Sequence, residues 1–202
     1  MKKVPITPIF VYYLIKPIIM NRINFIYLLL LLFISCEKSD PCTGVQCQNG
    51  GVCLDGNCDC PPGYAGTWCE SEQTPAAMII NTVTVKRFPA VNPSGAGWDV
   101  FDGPDIYLAI KDGTQVLYTS ENFYEDALTG FGQLFIPQLN IYYPNRPLTF
   151  EVWDYDDGLT DPDFLGGIGG KIYRAGEKFP DSFVMDCAGC PVSVEVNVSY
   201  YF

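Results

Sequence analysis

A chain of 202 residues can hold one sizeable domain plus small extras. Its 12 Lys and Arg against 23 Asp and Glu give a net charge of -11, which argues against nucleic acid as a partner and in favour of cations. The absence of histidine removes the commonest general base, the Ser-His-Asp arrangement and the usual zinc ligand, while nine cysteines point to an oxidising compartment.

Residues 23–35, INFIYLLLLLFIS, form an apolar run behind Asn21 and Arg22. The run is short for a spanning helix of about twenty residues and suits the apolar core of a removable signal. A single uncleaved anchor from Phe10 to Leu32 would be interrupted by Lys16, Pro17 and Arg22. Phe33-Ile34-Ser35-Cys36 resembles the lipobox of bacterial lipoproteins, with Phe33 where leucine is usual. That resemblance implies a signal peptide over 1–35, with Met20 an adequate start because it has its own Arg22. It also implies lipidation of Cys36, which accounts for the odd cysteine, and a lipid-anchored place in the bacterial outer membrane or at the cell surface. Residues 36–41 then form a polar tether.

Between 42 and 69 come six cysteines, Cys42, Cys47, Cys53, Cys58, Cys60 and Cys69. Too few apolar residues lie among them to make a core, so disulfides must hold this stretch together. Gln48-Asn49-Gly50-Gly51 and Pro61-Pro62-Gly63-Tyr64-Ala65-Gly66 carry turn chemistry. Six cysteines leave the pairing open. Spacing and turns together resemble the epidermal growth factor (EGF)-like module over its whole length, and the resemblance implies Cys42 with Cys53, Cys47 with Cys58 and Cys60 with Cys69. Of the acidic pattern of calcium-binding members only Asp40 and Asp55 are present, so this module reads as a spacer or contact surface without calcium.

Residues 70–75, ESEQTP, read as a polar linker, and from Ala76 to Phe202 the composition shifts to alternating β-branched and aromatic residues. Strands are expected at 78–87, 106–111, 115–120, 133–137, 148–153, 168–173, 179–185 and 192–201, separated by Gly, Pro, Asn and Asp clusters. The fold class is therefore mainly β: a small disulfide-rich module followed by an antiparallel, eight-stranded β-sandwich.

Two acidic runs stand out in the sandwich. Leu148, Phe150 and Val152 alternate with Thr149, Glu151 and Trp153, and this strand runs into a loop holding Asp154, Asp156, Asp157, Asp161 and Asp163. Earlier, Asp99, Asp102 and Asp105 precede the strand at Ile106. Carboxylates at this density repel one another unless a cation sits among them, and hard oxygen ligands suit Ca²⁺, which takes six to eight. A solvated acidic turn is the plainer alternative.

Asp105-Ile106-Tyr107 with Asp99 six residues earlier, Trp153-Asp154-Tyr155-Asp156, and Asp163-Phe164-Leu165-Gly166 resemble the loops of the C2 domain, the calcium-dependent phospholipid-binding sandwich. The resemblance covers about 78–172. It implies Asp99, Asp105, Asp154, Asp156 and Asp163 as Ca²⁺ ligands, with Asp102 a further donor. Asp161 is an alternative to Asp163, since the interval after Asp156 is one residue longer than usual. A polybasic strand is absent from 115–120, so binding to an anionic membrane would rest on calcium. Val100, Phe101 and Leu159 stand at the loop tips, either to enter a membrane interface or to fold back on the loops.

Cys187-Ala188-Gly189-Cys190 lacks the helix start of a redox pair and reads as a disulfide pinning a hairpin turn. The functional expectation is a binding protein, lipid-anchored through Cys36, that holds calcium and through it an anionic lipid or surface. The alternative is a calcium-stiffened adhesive protein whose EGF-like module contacts a protein or glycan. An enzyme, such as a glycosidase using two loop carboxylates, is not expected: no cleft-forming insertion is visible, and the aspartates need a cation for their own stability.

Overall fold

The structure, a computed structural model, describes residues 38–99, 103–156 and 161–202. Among these there is no helix, and none long and apolar enough to cross a membrane. The expected signal and Cys36 lie outside the described residues. Residues 1–43 and 44–202 form separate units, and of the first only the turn at Asp40 is described, where its Oδ1 accepts from the Cys42 amide.

The cysteine-rich module contains two small hairpins, β1 (Val52–Leu54) with β2 (Asn57–Asp59) and β3 (Tyr64–Ala65) with β4 (Ser71–Glu72). Disulfides join Cys47 to Cys58 and Cys60 to Cys69, and Cys42 and Cys53 are each disulfide-bonded as well. With Cys69 fully buried, sulfur takes the part that a hydrophobic core plays in larger domains.

The sandwich follows as β5 (Ala77–Arg87), β6 (Ile106–Asp112), β7 (Gln115–Thr119), β8 (Gln133–Phe135), β9 (Leu139–Ile141), β10 (Pro147–Asp154), β11 (Asp163–Lys171), β12 (Ser182–Met185) and β13 (Ser193–Tyr201). One sheet has the order β11-β10-β6-β7; the other runs β12-β13-β5-β8, with β9 also on β5. Every pairing is antiparallel. The expected strand at 133–137 proves to be β8 and β9, two halves of one edge strand on β5. The interruption falls at 136–138, where Pro137 has no amide to donate and Gln138 takes φ 45°.

Alternation along the long strands fills the core. In β5 the buried residues are Met78 and Ile80, then Val83 and Val85, a change of phase made by a bulge at Asn81 against β13. From the facing sheet come Ile106, Leu108 and Ile110 of β6 and Leu148, Phe150 and Val152 of β10. Side chains of this size are worth about 1.5–3 kcal/mol each when fully buried.

Strand directions give the sandwich two distinct poles. β5 enters at Ala77 and ends at Arg87, where the chain crosses to the start of β6 at Ile106. The end of β10 and the start of β11 lie at that same pole, since Asp154 is the register partner of both Ile106 and Asp163. The other pole meets the cysteine-rich module. There Gly63, at φ 89°, lies beneath Phe179 and Phe202; a Cβ would come within 2.5 Å of the Phe179 ring, so only glycine fits. Phe179 also packs edge-on against Tyr64 and Tyr200 and stacks with Tyr173. Glu72 accepts from the Tyr173 hydroxyl and from the Gly176 amide, each at 3.0 Å. Residues 70–75 are thus a clasped joint, with the Gln73 amide donating to the Gly63 carbonyl.

Candidate metal centre

The alternation that sends Leu148, Phe150 and Val152 inward also turns Asp154 inward, at the last position of β10, where it is 1% exposed. Its Oδ1 accepts the Asp105 amide at 2.6 Å. Its Oδ2 is buried and has no hydrogen-bond partner. Burial pushes the Asp154 carboxyl from its ordinary 3.8 up to about 6; the Asp105 amide pulls it down, and the charges of Asp99, Asp156 and Asp105 push it up again.

Asp105 is fixed by main-chain contacts on both sides. Its carbonyl accepts the Tyr155 amide at 2.8 Å, carrying the β6–β10 pairing one step past the strand ends. Its Oδ1 accepts the Asp126 amide at 3.0 Å. Asp126 sits at φ 50°, a left-handed conformation that aspartate tolerates better than most residues. Asp163 comes opposite Asp154 through a bulge: Val152 faces Gly166 and Trp153 faces Phe164, so Leu165 is the extra residue on β11. Glycines in that segment had hidden the first half of β11, which starts at Asp163 rather than near Ile168.

Asp99, Asp105, Asp154, Asp156 and Asp163 therefore belong to one rim, although two of the loops come from distant parts of the chain. Asp161 is exposed just ahead of β11. Asp102, Val100, Phe101 and Leu159 lie outside the described residues. A second buried oxygen, Asp156 Oδ2, also has no hydrogen-bond partner. Among the described residues no three acidic side chains are drawn together closely enough to form a finished metal cage. The donor set nevertheless fits a hard cation: oxygens alone, converging from two acidic runs, two of them buried with no donor to satisfy them.

The segment between β7 and β8 closes the third side of the rim. Beyond the Asp126 contact, the Ala127 amide donates to the Pro104 carbonyl, and Tyr124 makes a β-bridge with Ile106. The Phe123 ring stacks on Tyr155 at 4.6 Å. The only signal in the sequence was an unusual density of aromatic and aliphatic residues, Phe123, Tyr124, Leu128 and Phe131, in a stretch otherwise rich in turn formers.

No protein-family model matches the chain. Among curated proteins it is similar to mouse Protein crumbs homolog 2, 26% identical over 180 residues, covering 82% of this chain and 14% of that protein. It is also similar to Drosophila melanogaster Protein eyes shut, 30% identical over 97 residues, covering 46% of this chain and 4% of that protein. The chain thus spans a small fraction of the length of the curated relatives it matches. Among solved structures, a C2 domain covers 62% of this chain and 98% of its own, at a TM-score of 0.43 and 15% identity. The tandem C2 domains of Extended-Synaptotagmin 2 cover 69% of this chain and 47% of theirs, at a TM-score of 0.40 and 15% identity.

Proposed function

We propose that the aspartate rim binds Ca²⁺ and, through it, an anionic membrane or surface, in an exported protein held to a bacterial outer membrane or cell surface by lipidated Cys36. The observation that carries the metal reading is Asp154 Oδ2: a buried carboxylate oxygen without a donor, in the field of three further aspartates. A bound cation would reverse the cost of that arrangement, since each carboxylate would gain an opposite charge in place of a like one. Asp99, Asp105, Asp154, Asp156 and Asp163 would hold it, with Asp161 able to replace Asp163. When bound, Ca²⁺ supplies open coordination positions and a positive potential to which a phosphate or carboxylate group can attach. The resemblance of the acidic loops to those of the C2 domain supports the same reading. The absence of a catalytic function is part of the proposal.

Residues 38–202 contain all eight disulfide-bonded cysteines, both sheets and the joint, and so carry the whole described fold. Isothermal titration of this chain with Ca²⁺ should give saturable binding, and Asp154→Asn should abolish it. Absence of heat in the unmodified chain would end the proposal.

The clasped joint favours one second reading. A module packed on the sandwich through Phe179 and Glu72 suits an adhesive protein in which calcium only stiffens the rim. The two separate on calcium-dependent sedimentation with anionic vesicles, which the first requires and the second does not.

A further inference from the structure

β11 stands at the end of the order β11-β10-β6-β7, so the amides and carbonyls on its far side have no strand to meet. The other edges are short or interrupted: β12 has four residues, β7 has five, and β8 and β9 have three each on either side of Pro137. β11 has nine, and beyond its bulge at Leu165 the stretch 166–171 carries only Ile168 and Lys171 as side chains, the rest being glycine. A cleft of about 330 Å³ runs beside it, between β11 and β12.

Three of these four glycines have a reason within the chain. A Cβ at Gly166, where φ is 149°, would come within 2.9 Å of Pro191, one at Gly170 within 2.7 Å of Met185 Cε, and one at Gly167 within 3.2 Å of the Phe150 carbonyl oxygen. Gly169 has none: its φ is not positive, it is exposed, and a Cβ there would make ordinary contacts with Thr149 Oγ1 at 3.4 Å and the Leu148 carbonyl oxygen at 3.5 Å. Glycine weakens the interior of a strand, and where the fold does not require it, it marks a place that another chain approaches closely. The strand also carries what could fill that place. Phe164, Gly167, Gly169 and Lys171 are the register partners of Trp153, Glu151, Thr149 and Pro147, and so share the outer face of the sheet. Phe164 lies against the Trp153 ring, centroids 4.9 Å apart, and is still 50% exposed. An aromatic ring and an exposed acidic stretch, 161–163, thus stand at one end of β11, with bare backbone and exposed Lys171 at the other.

We infer that two copies of this chain pair through β11, antiparallel about a two-fold axis at Gly167, which joins their four-stranded sheets into one. With Leu165 skipped, as it is against β10, Phe164 of each copy stands opposite Gly169 of the other, an aromatic ring over bare backbone on the same face. Lys171 of each copy then reaches the acidic stretch 161–163 of the other, a complementarity of charge repeated at both ends of the contact. The pairing is isologous and closes at two copies. It also sends the two aspartate rims to opposite ends of the dimer, which keeps the densest negative charge of each copy away from the other in a chain of net charge -11. No metal is needed for it.

Sedimentation equilibrium of residues 38–202 in chelator, where calcium plays no part, should show a concentration-dependent dimer. Phe164→Ser removes a ring from both halves of the contact at once and should weaken the dimer about tenfold to a hundredfold. Gly169→Glu puts a side chain where that ring would lie and should leave the chain monomeric. At a dilution where the unmodified chain is also monomeric, the Gly169→Glu melting temperature should be no lower than that of the unmodified chain, which separates a lost contact from a damaged fold. Oxidation of a mixture of Pro162→Cys and Lys171→Cys chains should give a cross-linked pair that neither variant gives alone. A dimer that survives both Phe164→Ser and Gly169→Glu overturns the inference, since another surface then holds it. A chain that is monomeric at every concentration overturns it too, and leaves the edge to a strand of a different protein. Neither result touches the calcium reading, which the Ca²⁺ titration decides by itself.

Discussion

Two acidic residues at opposite poles of the sandwich show what different surroundings make of a carboxylate. Glu72, at the joint, accepts from a tyrosine hydroxyl and a main-chain amide and lies beneath a cluster of aromatic rings. Asp154, at the rim, is more deeply buried, has one hydrogen bond at Oδ1 and none at Oδ2, and faces three like charges. The first is a satisfied structural group. The second costs the fold free energy until something positive arrives, and the proposed cation site rests on that cost.

That contrast is most easily broken at Asp154 itself. Replacement by Asn should abolish Ca²⁺ binding in a titration and raise the melting temperature of the metal-free protein, because an amide is cheaper than a carboxylate to hold in that position. At the other pole the signs reverse. Phe179→Ala, which empties the centre of the aromatic joint, should cost about 3 kcal/mol in chemical denaturation and leave the Ca²⁺ titration unchanged. Glu72→Gln should cost less, about 1–2 kcal/mol by the same measurement, since the amide oxygen keeps part of the hydrogen bonding to Tyr173 and Gly176. A rise in stability from Glu72→Gln, or a fall from Asp154→Asn in the absence of metal, would erase the distinction between the poles.

An effect is also expected on pH. Because burial raises the Asp154 carboxyl to about 6, the folded chain holds a proton there that the unfolded chain, at the ordinary 3.8, has given up. The metal-free protein therefore has this contribution in full below about pH 4 and loses it as pH rises through 6. Calcium needs the ionised form, so its affinity should fall as pH drops below 6. Melting curves across pH 4 to 7, with Ca²⁺ and with chelator, should diverge with rising pH.

Much of the fold was legible because periodicity is a local property. The alternation in 148–152 and 192–198 announced strands, the cysteine spacing announced a module held by sulfur, and the turn residues placed most boundaries. Where glycine or proline occupied a strand the reading failed, at β11 and at the break between β8 and β9, since neither residue carries the side-chain signal on which alternation depends. The acidic runs could be seen as candidate ligands; the role of the segment 121–131 could not, because its contacts with Pro104, Asp105 and Tyr155 cross long stretches of chain.

Sequence alone determined the classes of element, the disulfide-dependent character of the first module and the residue types available to a metal, since all of these depend on composition and near-neighbour spacing. Tertiary structure decided that two acidic runs some fifty residues apart share a rim, as the Asp105 to Asp154 contact spans 49 positions. It also decided which oxygen is left without a donor and which apolar turn stands beside it. Register between strands is set by how whole faces bury one another, and no local window of the sequence contains that information.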